Sequence, residues 1–413
     1  MKEALAELEL APLLPNEAID AGAEEELFRR LAQAVAGEQL RQRWEAADGP
    51  AILQCARCQE SLKPLGRRRK QLQSVFGPLP LERRVYYCQQ CGEIQVPLDQ
   101  RLGIEQGGMT PGLMRLVCRT ALELPFQQSQ QLLSDTLGFT PCSAREVERV
   151  AGHHGQLLEQ SPQLSPVPQP GKARYCLAID GTMIPGLPDA VEHRLRWHEV
   201  KLAVGFDPRK VRAPFYVAGR EDAEHFGQRL WQQLQSRGLD HHGFQLILGD
   251  GAPWIWNLAD LHLPGVPQLL DFYHAAEHLF ATAELLWPAA QAKRWWQRRL
   301  AQLQQGELTN FFAVLQRLAR AHPAIDADSG PARLLRYFRD NQDRLRYAWA
   351  SKHHLPIGSG AVESGAGHLV QQRLKQSGMR WSDPGAQAIL NLRTLHRNGE
   401  FEQYWENFAA AGF

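Results

Sequence analysis

Two apolar segments that each end in an aspartate constrain the fold of this chain more than any other feature. They are YCLAID, which ends at Asp180, and FQLILGD, which ends at Asp250. Short apolar runs of this kind predict buried strands. A third acid, Glu363, follows in GSGAVES, where Ser359 and the glycines predict the start of a helix. Acids that meet from two strand ends and one helix predict a site for divalent metal and phosphodiester chemistry.

The pattern of residues 172–274 predicts three consecutive strands and then alternating helices and strands. The predicted strands end at Asp180, Val204, Ala218, Asp250 and Asp271, and the predicted helices cover residues 223–236 and 254–261. This order, with acids at the ends of the first and fourth strands, is that of a ribonuclease H-like core with a mixed five-stranded sheet. The third acid of such a core lies on the helix after the fifth strand, where we place Glu363.

Residues 275–355 separate the fifth predicted strand from Glu363 and have a helical pattern rich in tryptophan and arginine. Between residues 291 and 350, eleven Lys or Arg residues accompany only five acids, and this excess suits a DNA backbone. A packing or dimerisation module is the alternative interpretation. We therefore predict an all-helical insertion that interrupts the core, which resumes over residues 356–413.

Four of the seven cysteines form two Cys-x-x-Cys pairs, which predict a zinc ribbon in residues 51–100. Four thiolates are the ligand set that zinc prefers in a closed structural site, and here they come from Cys55, Cys58, Cys88 and Cys91. One such pair alone could be a redox centre, but the doubled pattern indicates structural zinc. The same region carries a basic cluster that we expect to contact DNA phosphates, with a solvated loop as the alternative: Arg67, Arg68, Arg69 and Lys70.

Residues 101–160 have the features of a helix-turn-helix. A helical pattern is followed by a break at LGFTP and by a second helix that Ser143 can cap. We expect Arg145 and Arg149 on that second helix to face DNA, although two helices of an ordinary bundle would give the same pattern. A helical lead-in occupies residues 1–50, and four prolines within residues 161–171 predict a stiff linker before the core.

Charge and hydropathy limit the partners and the compartment. A net charge of +1 over 413 residues does not by itself indicate a polyanionic partner. The N-terminus lacks the basic-then-apolar order of a signal peptide. No run approaches the ~18 apolar residues that a membrane span needs. We therefore expect a cytoplasmic protein that has no membrane partner.

Several motifs together resemble a family of mobile-element enzymes. They are AIDGT around Asp180, GDGAPW around Asp250, DFYH from Asp271 to His274, and GSGAVES around Glu363, with SGMRW downstream. This set resembles bacterial insertion-sequence transposases of the ISKra group, which are similar in turn to Mutator-like DDE transposases. The resemblance implies that Asp180, Asp250 and Glu363 form the catalytic triad and that His274 acts near the metals or the scissile phosphate. Asp271 also ends a strand and competes with Asp250 for the second place.

The resemblance implies a DNA transposase that binds terminal inverted repeats, cleaves DNA strands and transfers them into target DNA. Its cofactors would be Mg²⁺ or Mn²⁺ on the triad and structural Zn²⁺ in the ribbon, and a homodimer would pair the two ends. Arg373 and Lys375 would bind phosphates, and Trp381 would stack on an unpaired base, with a core position as the alternative. A stand-alone nuclease of the same fold and a domesticated, inactive DNA-binding protein are the alternative functions.

Overall fold

A computed structural model describes the chain over residues 20–48, 54–104, 107–160, 175–188, 194–209, 213–322 and 330–411. The chain divides into two compact units. The first consists of Met1–His154 with Glu400–Phe413, and the second consists of Gly155–Gly399. The part of the predicted lead-in before residue 20 and the predicted linker at 161–171 lie outside the described residues.

A three-stranded antiparallel sheet in the order β1-β2-β3 forms the centre of the first unit. Its strands are β1 (Lys63–Ser74), β2 (Gly77–Tyr87) and β3 (Ile94–Gln95). Gly77 has a φ of 108° in the tight turn between β1 and β2, a conformation that favours glycine. One face of the hairpin is apolar and packs into a small core made of Leu72, Leu79, Leu81, Leu98 and Ile104.

The first unit also contains helices. The described ones are α1 (Ala21–Ala47), α2 (Pro97–Leu102), α3 (Pro111–Ala121), α4 (Phe126–Leu137), the part of α5 (Ala144–Gln160) up to His154, and the C-terminal helix Phe401–Ala411. The predicted cap of α5 is confirmed, because the amide of Glu146 donates to Ser143 Oγ at 3.3 Å and the amide of Ser143 donates to Glu146 Oε2 at 2.9 Å. This reciprocal pair satisfies two amides that a helix start leaves without partners.

A mixed five-stranded sheet forms the centre of the second unit. Its strands are β4 (Tyr175–Pro188), β5 (Leu195–Phe206), β6 (Phe215–Gly219), β7 (Phe244–Gly249) and β8 (Gln268–Leu270). The spatial order is β6-β5-β4-β7-β8. The first three strands in the chain pair antiparallel, and β7 and β8 then add parallel to β4. Strand β7 is buried along nearly its whole length, as expected for a parallel strand that is covered on both faces.

Strand β4 is longer than the sequence predicts. Its parallel pairing with β7 ends at Ala178, where Leu248 is the partner. Its antiparallel pairing with β5 continues past Asp180 to Pro188. The prediction that this strand ends at Asp180 is therefore wrong, since the β4–β5 hairpin extends beyond the rest of the sheet. Asp180 instead lies just past the point where β4 and β7 separate.

Helices α6 (Ala223–Ser236) and α7 (Pro253–His262) follow β6 and β7 in the chain and pack on the sheet. Between β8 and the Glu363 helix, the described residues form five further helices: α8 (Phe272–Leu286), α9 (Ala289–Gln305), α10 (Leu308–Ala321), α11 (Gly330–Asp340) and α12 (Tyr347–Lys352). Phe311 and Phe338 stack edge to face in their core, with ring centroids 4.9 Å apart. Among the described residues, no helix has both the length and the apolar character needed to cross a membrane.

The chain returns to the sheet through the helix that carries Glu363. This helix comprises α13 (Gly360–Ala366), a π-helical turn (Gly367–Gln371) and a final short turn (Gln372–Leu374). α13 packs on β4 and β5, and the long helix α14 (Asp383–Arg397) packs on β6. The second unit is thus a mixed α/β structure in which one helix links a late part of the chain to the first two strands of the sheet.

Candidate metal and nucleic-acid sites

Three aspartates occupy neighbouring positions at one edge of the second sheet. Asp250 directly follows β7, Asp271 directly follows β8, and Asp180 lies on β4 beyond its last pair with β7. β4, β7 and β8 are adjacent and parallel, so their carboxyl ends meet at the same edge. This edge is where open sheets of this type place their ligand sites.

Glu363 reaches this edge from α13. Ligand atoms of Asp271, His274 and Glu363 all lie within 4.8 Å of one another. Within the described ranges, this close group includes Glu363 of the predicted triad but neither Asp180 nor Asp250. Carboxylates repel one another at short range unless a positive charge lies between them. His274 is the residue of the group that can supply that charge.

Each oxygen of the Asp271 carboxylate accepts a backbone amide. Oδ1 accepts the amide of His274 at 2.8 Å, which caps α8, and Oδ2 accepts the amide of Ser359. The side chain is completely buried. Burial alone would raise the pKa of Asp271, but the side chain of His274 and these two amides hold the pKa below its ordinary value. Asp271 therefore stays ionised and joins the end of β8 to the start of the Glu363 helix.

The surroundings of the Asp180 carboxylate have the opposite effect and raise its pKa. Burial raises its pKa to about 6, and the negative charges of Asp250 and Asp271 act in the same direction. The amide of Gly181, which donates to Oδ1 at 2.7 Å, and the charge of His274 oppose the rise. Burial and nearby negative charges make the ionised form of Asp180 unfavourable, and a bound cation would offset this cost.

The acids around His274 favour its protonated form. The Asp271 carboxylate, whose Oδ1 lies 3.4 Å from Nδ1, raises the pKa of His274 to about 9, with Asp180 and Asp250 adding to the effect and burial opposing it. A protonated imidazole donates hydrogen bonds and cannot bind a metal. In this state His274 can therefore donate to an anionic group but cannot serve as a metal ligand.

Asp250 is held by the loop that follows β7 and by the helical segment. Its Oδ1 accepts the amide of Ala252 at 2.9 Å, and its backbone carbonyl accepts the hydroxyl of Tyr337 at 2.8 Å. Gly251 has a φ of 105°, and a Cβ at that position would lie 2.9 Å from the Tyr337 ring. The loop therefore requires glycine both for its backbone conformation and for its contact with α11.

The Glu363 helix approaches the sheet closely at one of its glycines. A Cβ on Gly365 would lie only 2.7 Å from Cγ2 of Val204, whereas a Cβ on Gly367 would have no neighbour within 4 Å. The close approach therefore depends on Gly365 and not on Gly367. Ser359 precedes the helix, but its side chain makes no capping hydrogen bond, and its hydroxyl lies 3.5 Å from Glu363 Oε1.

Lys375 lies beside the acid edge, the edge of the second sheet that carries Asp180, Asp250 and Asp271. Its Nζ donates to Thr182 Oγ1 at 2.7 Å, and Thr182 lies on the same face of β4 as Asp180. Burial lowers the pKa of Lys375, and the nearby charge of Asp180 partly restores it. A half-buried ammonium next to Asp180 can neutralise an anion that binds there.

Arg373 is not placed as a phosphate-binding residue would be, whereas Trp381 has the core position that was the alternative interpretation. Arg373 is 1% exposed and Trp381 is 7% exposed. The guanidinium lies 4.9 Å from the centroid of the Trp381 ring, and Trp381 Nε1 donates to the carbonyl of Leu374 at 3.1 Å. Direct DNA contacts by these two side chains do not fit this structure, because their polar groups and rings are used inside the second unit.

The four paired cysteines form a compact cluster in the first unit. The Sγ atoms of Cys55 and Cys91 are 3.5 Å apart, and those of Cys58 and Cys88 are 3.4 Å apart. The four sulfurs all lie within 4.8 Å of one another. The two pairs have the same backbone arrangement, since the amide of Cys55 donates to a carbonyl five residues later and the amide of Cys88 does likewise. Four convergent thiols form a ligand set for one metal ion.

The basic residues of the first unit separate into exposed and engaged ones. Arg67, Arg68 and Arg69 are exposed on β1. Lys70 is instead engaged, because its Nζ lies 3.0 Å from Asp99 Oδ2 and also donates to the carbonyl of Ile104. A phosphate contact by Lys70 therefore does not fit the structure, since this ammonium already neutralises a buried carboxylate.

Arg145 and Arg149 are exposed on one face of α5. They line a shallow groove of about 550 Å³ together with Ser143, Glu146 and Glu148. Their spacing of four residues places both guanidiniums on the same side of the helix. The groove contains two carboxylates as well as the two arginines, so its charge is mixed rather than purely basic.

Sequence reasoning did not find Tyr337 and Thr182. Tyr337 lies 87 positions from Asp250 in a segment whose pattern reports only helix, and therefore no local signal connects the two. Thr182 lies within the AIDGT motif, and strand alternation alone would have placed its side chain on the face of Asp180.

The acid edge has the donor set of a site for hard divalent cations: ionisable carboxylate oxygens from several elements. The positive side chains nearby, His274 and Lys375, can contact an anionic substrate. No protein-family model matches the chain, and no curated protein is similar to it in sequence.

Proposed function

We propose that the chain is a DNA transposase with a ribonuclease H-like catalytic core and a DDE mechanism. The observation that carries the proposal is the acid edge, where Asp180 on β4 and Asp250 after the neighbouring strand β7 both act by charge on His274, which groups closely with Asp271 and Glu363. Numbered in chain order within the second unit, the strands lie in the order 3-2-1-4-5, with the second strand antiparallel to the first. That topology supports the core that the motif resemblance implies.

Some residues of the acid edge would bind metal ions, and others would contact the negatively charged substrate. Asp180, Asp250 and Glu363 would hold Mg²⁺ or Mn²⁺ through carboxylate oxygens. When bound, such ions activate an attacking hydroxyl and stabilise the leaving oxygen of a phosphodiester. His274 donates a hydrogen bond to a non-bridging phosphate oxygen, and Lys375 adds a second positive charge on the Asp180 side. Asp271 holds His274 and the start of the Glu363 helix in place.

The first unit would supply DNA binding. The four cysteines would hold a structural Zn²⁺, because four thiolates form the closed set that zinc prefers. Arg67, Arg68 and Arg69 on β1 would contact phosphates, and Arg145 on α5 would contact the terminal repeat. A homodimer would bring two DNA ends together, and the protein would act in the cytoplasm on chromosomal DNA.

The proposal is tested with the purified chain, labelled DNA from the two ends of the element that carries its gene, a target plasmid and Mg²⁺. Joined products identify a transposase. Cleavage without joining identifies a nuclease of the same fold, and a shifted but intact band identifies a DNA-binding protein without catalysis. Each of the last two outcomes overturns the proposed activity.

Substitutions tie the activity to the acid edge. Glu363→Gln keeps the size of the side chain and removes its charge, and we expect a loss of at least about 100-fold, the scale of losing one group that stabilises a transition state. Glu284→Gln is the matched control, because Glu284 is an exposed acid on α8 of the same unit. Binding of Mn²⁺, followed by electron paramagnetic resonance, should weaken in the first variant only. Equal activity in both variants would remove Glu363 from the site.

A further inference from the structure

The helical segment contains a groove whose lining is basic and aromatic. Its volume is about 320 Å³, near the lower end of the range for small-ligand sites. Two tryptophans, Trp287 and Trp295, and three arginines, Arg294, Arg298 and Arg299, contribute to its wall. The groove has no carboxylate among the described residues that line it. This composition differs from that of the groove on α5, where acids accompany the arginines.

Helix α9 presents most of this lining as a single stripe. Gln291, Arg294, Trp295, Arg298 and Arg299 follow the pattern i, i+3, i+4, i+7 and i+8, so they share one face of the helix. Like charges at such spacings repel one another and destabilise an isolated helix. A stripe of this kind is unfavourable unless an anion lies against it.

Arg299 is the buried member of the stripe. It is 9% exposed, and its Nε has no hydrogen-bond partner among the described residues. Burial lowers the pKa of Arg299, and the charges of Arg298 and Arg317 act in the same direction. A buried guanidinium surrounded by other cations has an unsatisfied donor and an uncompensated charge. An anionic oxygen in the groove would compensate this charge.

The tryptophans supply flat surfaces at the same place. The centroids of Trp287 and Trp295 are 5.3 Å apart, with an angle of 40° between the rings, and both side chains are partly exposed. Arg299 lies 5.6 Å from the centroid of Trp295. Indole rings beside guanidiniums can stack on a nucleobase while the cations contact its phosphate.

We propose that this groove binds one unpaired nucleotide of single-stranded DNA. The base stacks on Trp295 or Trp287, and the adjoining phosphate lies against Arg294, Arg298 and Arg299. A duplex is too wide for a concave site of this volume and keeps its bases stacked on one another, whereas one nucleotide can use both the rings and the charges. The inference is independent of whether the acid edge cleaves DNA, because it concerns a separate surface of the second unit.

The test measures binding of a fluorescein-labelled 12-nucleotide oligothymidylate to the full chain by anisotropy, without added divalent cation so that cleavage does not intervene. We expect Arg298→Gln to weaken binding about tenfold, the scale of a charge-assisted hydrogen bond, and to reduce the salt dependence by the equivalent of one phosphate contact. Lys293→Gln is the matched control, because Lys293 is exposed on the same helix but does not line the groove. This control should change the affinity by less than about twofold.

An abasic strand of equal length isolates the stacking contribution. The unmodified protein should bind it about tenfold more weakly than oligothymidylate, and Trp295→Leu should remove most of that difference. Equal effects of Arg298→Gln and Lys293→Gln would overturn the inference, as would equal affinity of the unmodified protein for the two strands. Because Arg298 is exposed, its substitution tests the groove even if Trp295→Leu does not fold. Intact oligothymidylate binding without any cleavage of end DNA would contradict the proposed function alone.

Discussion

The carboxylate of Asp271 accepts a hydrogen bond from the backbone amide of Ser359, which lies 88 positions later in the chain. A second hydrogen bond runs alongside it, from the amide of Phe272 to the carbonyl of Ile357 at 2.9 Å. Together they fix the start of the Glu363 helix to the end of β8. The position of Glu363 therefore depends on an aspartate whose two carboxylate oxygens each accept a backbone amide.

We expect Asp271→Asn to destabilise the second unit and to reduce activity together. An asparagine offers one acceptor oxygen for two amides, so one buried amide loses its partner at a cost of about 1 to 3 kcal/mol. Urea unfolding and end-DNA cleavage measure the two effects. Asp260→Asn is the control, since Asp260 is exposed and pairs with Gln268. If Asp271 were chiefly a metal ligand, Mn²⁺ affinity would fall while the free energy of unfolding stayed unchanged.

Asp180→Asn should stabilise the protein while abolishing its activity. The pKa of Asp180 is raised to about 6 by burial, so the favourable contribution of the neutral form is complete below about pH 4 and is lost as the pH rises through about 6. At pH 7.5 without divalent cations, the variant should be more stable by about 1 to 3 kcal/mol, and the difference should vanish near pH 4. Thermal unfolding at the two pH values measures this.

Added Mg²⁺ should reverse the order of stability. Binding to the native state alone stabilises the unmodified protein by mass action and leaves the Asp180→Asn variant unaffected. Activity at limiting Mg²⁺ should rise between about pH 5 and pH 7, as the Asp180 carboxylate ionises. Equal melting temperatures of the two proteins at pH 7.5, with and without Mg²⁺, would contradict a cation site at Asp180.

Tyr337→Phe should lower the cleavage rate with little loss of fold. The substitution removes only the hydroxyl that donates to the Asp250 carbonyl, which costs about 1 kcal/mol and loosens the Asp250 loop. Single-turnover cleavage should slow by about five- to tenfold, the factor that such an energy implies. Tyr347→Phe is the matched control, because the hydroxyl of Tyr347 is buried and has no hydrogen-bond partner in the described part of the chain. Similar rates for the two variants would separate Tyr337 from the site.

Gly365→Ala and Gly367→Ala form a matched pair within one helix. The first places a methyl group 2.7 Å from Val204 Cγ2 and should destabilise by about 1 to 3 kcal/mol through overpacking. The second meets no neighbour within 4 Å, and its higher helix propensity should stabilise by up to about 1 kcal/mol. Urea unfolding measures both. The opposite order would show that the helix contacts the sheet elsewhere.

Cys88→Ser should abolish metal binding by the first unit. Zinc content per chain, measured by plasma mass spectrometry, should fall from one ion to none, whereas Cys142→Ala should retain the ion because Cys142 lies outside the cluster. Structural zinc contributes about 10 kcal/mol or more to folding in small zinc domains, so a chelator should also lower the melting temperature. Full zinc content in Cys88→Ser would contradict the site.

The sequence alone located the elements of the second sheet and the paired cysteines, because both depend on local patterns. The burial of a side chain by residues that are distant in the sequence could not be predicted from such local patterns. Arg373 and Trp381 have the composition of a DNA-contacting pair, yet their mutual contact places both inside the unit. The role of Gly365 depends on Val204, which lies in a strand far away in the sequence. Local patterns therefore predicted the framework, whereas the neighbours of individual side chains required the three-dimensional structure.

Five α-helices lie between β8 and α13 in the chain. The two ends of this helical segment lie next to each other, because the amide of Phe272 donates a hydrogen bond to the carbonyl of Ile357. Because these ends are adjacent, a short linker could join them in place of the whole segment. A shortened chain that has a few glycines in place of the segment should retain the five-stranded sheet. Such a chain would lack both His274, which lies on α8, and the Tyr337 hydroxyl that donates to the Asp250 carbonyl, so the length of the segment can vary only where these two residues are kept in place.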